Sequence, residues 1–224
     1  MPAIVFGSIS TIADTSELQR QAFNETFAAE GLDWQWSRDD YREMLVQSGG
    51  KSRIAEFARS RGQDVDAEAL HKAKSQAFQR NVAAADLAPR PGVVDTIKSA
   101  KGNGWKLGLV TTTSRDNIMA LLNRLSPDVS ADDFDVIVDR GDVEQPKPDK
   151  AAYSFALQHI GESAEDCVAI EDNADGVTSA TTAGITCVAF PNANTGEQDF
   201  GTARRVDRLD ADQLQGLTGG GRSA

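Results

Sequence analysis

Two adjacent carboxylates, Glu171 and Asp172, follow the apolar run Val168 to Ile170 and precede the small-residue segment Asn173-Ala174-Asp175-Gly176. Carboxylates at a strand end, with a glycine that lets backbone come close, suit a hard cation such as Mg²⁺. The same residues also read as an acidic helix N-terminus favoured by the macrodipole. Lys147 stands between Pro146 and Pro148. Two fixed φ angles would hold an ammonium meant to grip a phosphoryl oxygen, and they would equally make a surface turn. Thr111-Thr112-Thr113-Ser114-Arg115 comes directly after Leu107 to Val110. Hydroxyls at a strand end beside the first amides of a helix form either a phosphate cradle or an ordinary cap. The two histidines, His71 and His159, lie in helical segments without a partner motif, so surface or core placement is expected. No Ser-His-Asp or Cys-His set offers another nucleophile.

These groups need elements to carry them. Short apolar runs recur at 3–6, 107–110, 136–138, 168–170 and 186–190. Each run after the first is preceded by a helical pattern, which argues for a parallel α/β sheet buried on both faces. Between the first two runs, spacing is helical throughout: Leu18, Ala22, Phe23 and Phe27, then Tyr41, Met44 and Leu45, then Ile54, Phe57 and Ala58. Ser37 and Asp40 form a capping pair, and Trp34 and Trp36 read as packing. The expected division is a core of residues 1–15 and 86–216, a helical cap of 16–85, and a disordered Gly-rich tail of 217–224.

The formal net charge of -11 argues against wrapping a nucleic acid. No apolar run approaches the length of a membrane span, and Met1-Pro2-Ala3 does not open a signal peptide. Cys167 and Cys187 in apolar runs read as buried thiols of a cytoplasmic protein.

The order of these segments resembles the haloacid dehalogenase (HAD) superfamily of phosphatases. Its first motif, Phe-Asp-x-Asp-Gly-Thr-x-x-Asp-Thr, is matched at Phe6, Thr11, Asp14 and Thr15. Thr111, Lys147-Pro148 with Tyr153, and Glu171-Asp172 with Gly176 match the later motifs. The resemblance implies a Rossmann-like sheet with an inserted helical cap. It also implies Mg²⁺, held by Asp172, Glu171 and the backbone carbonyl of Ile9. Two positions depart from the pattern: the nucleophilic aspartate is Gly7 and the acid/base aspartate is Ile9. Lys150 replaces the second proline of the lysine motif.

The segments 21–27 and Gly49-Gly50-Lys51-Ser52-Arg53-Ile54 are similar to the CbbY branch, close to β-phosphoglucomutases, which acts on phosphorylated sugars including xylulose bisphosphate. That likeness implies Glu17, Lys51, Arg53, Thr111, Thr112, Thr113, Arg115 and Lys147 as substrate contacts, with Lys51, Arg53, Thr113 and Arg115 on a distal phosphate. The branch's His two residues after Glu17 is Gln19 here. Loss of a positioned nucleophile forfeits roughly 7–11 kcal/mol of proximity, and loss of the acid a further factor of about 10²–10⁴. The expectation is a chain that binds a phosphorylated small molecule, with Mg²⁺ weak or absent and catalysis absent or severely impaired. A Mg²⁺-dependent phosphatase or mutase working another way is the alternative, and a protein partner is not identified by the sequence.

Overall fold

In the computed structural model, residues 1–45 and 49–219 are described. The chain runs β1 (Ala3–Phe6), α1 (Ile9–Ile12), α2 (Ser16–Ala29), α3 (Arg38–Met44), α4 (Gly50–Ser60), α5 (Ala67–Ala84) and α6 (Val93–Gly102). It continues through β2 (Lys106–Val110), α7 (Arg115–Leu125), β3 (Val136–Val138), α8 (Ala151–Ile160), β4 (Cys167–Glu171), α9 (Ala174–Thr182), β5 (Thr186–Ala189), β6 (Arg204–Arg205) and α10 (Ala211–Gln215). All strands pair in parallel, in the order β3-β2-β1-β4-β5-β6. This is the parallel α/β sheet that the alternating runs predicted, in the Rossmann-like form that the resemblance implied.

Every residue of β1 and β4 is buried, as strands covered on both faces must be. One face packs Ile4, Phe6 and Leu109 against α6, α7 and α10; the other packs Val5, Val110 and Ala169 against α8 and α9. Helices α2 to α5 have an aromatic core of their own, built on Phe23, Phe27, Trp34, Trp36 and Tyr41. The Ser37–Asp40 capping box starts α3. Both cysteines are buried and unbridged.

Two features were absent from the sequence reading. Strand β6 is a pair of exposed arginines, with no apolar pattern to betray it. The predicted tail is a partial correction: Leu217 packs against the main core and Thr218 is 1% exposed, because this stretch closes over the sheet beside α10. Residues 220–224 lie outside the described residues. Among the described residues no helix is long and apolar enough to cross a membrane.

The loop after β5 clasps the cap. Arg38 Nε donates to Asn194 Oδ1 (3.1 Å), and Arg42 donates to the Ala193 carbonyl (3.0 Å). Asn194 Nδ2 donates to Glu17 Oε1 (2.7 Å), and Gln198 Nε2 to the Leu45 carbonyl (3.0 Å).

Candidate active site

Because β1 lies between β2 and β4, the carboxyl ends of these strands bring residues 7–10, 111–114 and 171–173 side by side, facing α2 to α5. Clefts at such strand ends are the usual ligand sites of open α/β sheets.

The centre of that arrangement is not open. Glu171, fully buried, turns its carboxylate into the space above Gly7. A Cβ at Gly7 would overlap the Glu171 carboxyl and the Tyr153 hydroxyl, and a Cβ at Gly176 would overlap the same carboxyl from the other side. Lys147 Nζ donates to Glu171 Oε1 (2.6 Å), to the Val110 carbonyl (2.9 Å) and to the Gly7 carbonyl. Tyr153 donates to the same carboxylate oxygen (2.6 Å). Burial pushes the Glu171 carboxyl above its usual range, which the Lys147 charge opposes. Its second oxygen, Oε2, has no hydrogen-bond partner among the described residues.

Lys147 was expected to face a phosphate. It is instead the counter-ion of a buried glutamate, 5% exposed, and is not among the residues lining the cleft. The physical reason is local: with no carboxylate at position 7, the nearest anion able to neutralise Lys147 is Glu171.

The donors expected to hold Mg²⁺ do not fit it as they stand. Asp172 accepts from Ser8 Oγ (2.8 Å) and Asn173 Nδ2 (2.9 Å) on Oδ1, and from Asn192 Nδ2 (2.6 Å) on Oδ2. Glu171 is turned inward, and the Ile9 carbonyl accepts the Ala13 amide at 3.2 Å within α1. No cluster of three potential metal ligands occurs among the described residues. Asn173 accepts from the Gly176 amide and caps α9, so the helix start needs neither acid.

The cleft itself lies above, between strand ends and cap. Thr111, Thr112, Thr113 and Ser114 line its floor, and Ile9, Ser8 and Asp172 one wall. Of the basic residues expected there, only Arg53 lines it. Lys51 is paired with Glu68 (2.6 Å), and Arg115 with Asp139 (2.7 Å) and the Ile137 carbonyl (3.0 Å). Glu17 is drawn into the clasp by Asn194, Arg20 and Arg38. Lys74, Arg140 and Ser8 line the cleft without having been picked out by sequence reasoning, and His71, expected at the surface or in the core, lines it as well.

Lys74 is buried, bonded to Gln19, and sits over the rings of Phe23 (4.6 Å) and Phe78 (5.3 Å). Burial, helped by Arg53, pulls its ammonium down to about 7. The unfolded chain therefore holds this proton from pH 7 up to about 10 while the folded chain does not. Stability from this group is depressed below pH 7 and recovers as pH rises, by up to about 1.4 kcal/mol per pH unit. The two buried thiols, both raised by burial, pull the other way once unfolded cysteines ionise above about pH 8.5. The expected result is that Lys74→Met loses the rise between pH 7 and 8.5. Urea unfolding of both proteins at the two values checks it; equal slopes would refute it.

The match to the haloacid dehalogenase-like hydrolase family spans residues 1–184. The chain belongs to that family. Within it, CbbY proteins are among its relatives. It is 39% identical to Protein CbbY of Rhodobacter capsulatus over 97% of both chains, and 40% identical to Protein CbbY of Cereibacter sphaeroides over 97% of this chain and 95% of that one. It superimposes on CbbY from Rhodobacter sphaeroides in complex with phosphate (TM-score 0.89) and on a mutant of that protein in complex with xylulose-(1,5)bisphosphate (TM-score 0.90). Both are 39% identical, and they cover 97% of this chain.

Proposed function

We propose that this chain binds a phosphorylated sugar in the cleft between sheet and cap and does not perform aspartyl phosphoryl transfer. The observation that carries the reading is the Glu171 carboxylate seated over Gly7, with Lys147 as its counter-ion. No acyl-phosphate can form at a residue without a carboxylate, and the lysine that would steady a phosphoryl oxygen is spent internally. What remains is a cleft whose floor offers Thr111 and Thr112 to one phosphate, with Arg53 and Lys74 on the cap side and Asp172 as the facing acid. The phosphate and xylulose bisphosphate complexes of the Rhodobacter sphaeroides relative support a ligand of this class. Because the magnesium donors are engaged by protein hydrogen bonds, binding is expected to be independent of Mg²⁺.

The test is a phosphate-release assay against sugar mono- and bisphosphates, with thermal shift on the same panel. The expected result is stabilisation by at least one ester, unchanged by chelation, with no family-typical turnover and no beryllofluoride adduct at position 7. Rapid turnover would sink the binding-only reading.

A second reading has one observation in its favour. Ser8 Oγ donates to Asp172 at 2.8 Å within the cleft, so a hydroxyl with an adjacent base faces the ligand space. Residual turnover through Ser8 would vanish in Ser8→Ala.

A further inference from the structure

Two of the described lysines are buried, in opposite circumstances. Lys147 faces Glu171 and lies outside the cleft lining. Lys74, on α5, lines the cleft and is 5% exposed, yet among the described residues no carboxylate pairs with it. Its amine bonds to Gln19 Oε1 and stands against the rings of Phe23 and Phe78. The charge acting on it is the Arg53 guanidinium, also on the cleft wall. A buried ammonium without an anion costs free energy to keep, and a cation beside it raises that cost. A desolvated lysine next to another cation is the setting in which the amine becomes a nucleophile.

One turn earlier on the same helix stands His71, which also lines the cleft. Its Nε2 rests against the start of α4, where a Cβ at Gly50 would sit 2.8 Å from it. Burial, and then Lys74, Arg140, Arg53 and Lys51, hold its imidazole down to about 4, so the ring is neutral near pH 7. Residues three apart on a helix are neighbours on one face. A free amine and a neutral imidazole therefore share one wall, and the hydroxyls of Ser75, Thr111 and Thr112 line the space they face.

We propose that Lys74 captures the carbonyl carbon of a small hydroxyaldehyde or hydroxyketone as an imine, with His71 relaying the protons. This rests on the reading of the cleft as a small-molecule site and does not need the molecule to carry a phosphate. The amine nitrogen bonds to the carbonyl carbon, and the π pair of the C=O bond moves to its oxygen. His71 takes the proton that the nitrogen sheds and returns it to that oxygen, giving a carbinolamine. The nitrogen then forms the C=N bond, the C–O bond breaks, and the second amine proton leaves with the hydroxyl as water. Amine and carbonyl become imine and water, with no change of oxidation state.

The experiment is reductive trapping at pH 7 with glyceraldehyde, an aldehyde without phosphate, and cyanoborohydride, followed by peptide mapping. The exposed Lys72 and Lys98 are internal standards, so the parent protein alone decides the outcome. A lysine drawn down to about 7 is about half free base at that pH, against roughly one in 2500 for an ordinary lysine. Lys74 is expected to be labelled at least about tenfold faster than either standard. In Lys74→Met the fast label should vanish while the standards react as before. His71→Gln should slow the label on Lys74 at least about tenfold and leave the standards unchanged.

Labelling of Lys74 no faster than that of Lys72 and Lys98 would overturn the capture. An unchanged rate in His71→Gln would overturn the relay. Thermal shift with phosphate esters keeps the two readings of the cleft apart. A fast Lys74 label in a protein that no ester stabilises leaves the capture standing and sinks the sugar-phosphate reading. Stabilisation by an ester without the fast label does the reverse.

Discussion

Gly7→Asp combined with Ile9→Asp is expected to give this chain Mg²⁺-dependent phosphatase activity. A Cβ at position 7 cannot coexist with the present Glu171 carboxylate, so the new aspartate must expel it. The expelled group is the far end of a flexible side chain at the carboxyl end of β4. Three things then change together. Lys147 exchanges Glu171 for Asp at position 7, a nucleophile appears beneath the threonine floor, and carboxylates gather where few open donors now stand. Proximity and general-acid terms each amount to several orders of magnitude in rate, so a gain of at least about 10³-fold in phosphate release is expected. Calorimetric Mg²⁺ binding should appear in the same protein. Gly7→Asp alone should be less stable than the parent, since two carboxylates then compete for one lysine. If the double variant unfolds, adding Glu171→Ala vacates the space. A folded double variant that gains neither metal binding nor turnover would refute the account of Glu171 as the group filling the site.

Lys147→Met is expected to cost about 3–5 kcal/mol of stability, the usual penalty for leaving a buried charge without its partner. Glu171 has zero exposure and, among the described residues, one oxygen without a partner and only Tyr153 besides Lys147 to donate to it. Adding Glu171→Gln should recover most of the loss, because the orphaned charge is then gone. In a chain of this size the single variant should melt on the order of 10 °C lower. Denaturant unfolding of parent, single and double variants measures the coupling directly. If the single variant is as stable as the parent, or the double is no better than the single, the pair is not the buried unit described. The same variants separate two roles for Lys147. A lysine that grips the ligand would, when removed, abolish phosphate-ester binding even in the stable double variant; a counter-ion would not.

The strands were legible because a parallel strand buried on both faces must be a continuous apolar run, and such runs end where the site residues begin. The capping box of α3 and the aromatic packing of Trp34 and Trp36 were equally local and equally visible. Pairings between distant segments were not. Sequence displays Lys147 and Glu171 as charges 24 positions apart, and nothing in either segment says that one will neutralise the other inside the sheet. Lys51 and Arg115 read as free cations because Glu68 and Asp139 meet them only after folding. Arg140 sits in an acidic loop with no motif, and His71 is one histidine on a polar helix. Their membership of the cleft comes from the cap's orientation over the strand ends, which leaves no periodic trace. Ser8 was hidden by its neighbours, since attention fell on what Gly7 and Ile9 lack. Its hydroxyl nevertheless lines the cleft, donating to Asp172.

The clasp between the loop after β5 and the cap has a consequence in time. Among the described residues it consists of four hydrogen bonds made wholly between protein groups, and Asn192 and Thr195 of that loop form part of the cleft wall. Parting the cap from the sheet on that side breaks the four together. Undoing them costs the same whether a molecule is entering or leaving, so both rates fall by one factor and the equilibrium constant is untouched. Asn194, bonded to α2 and α3 at once, is the residue on which that factor turns. For any molecule the cleft takes up, the clasp would set the pace of exchange, and with it how long that molecule is kept after its supply has fallen.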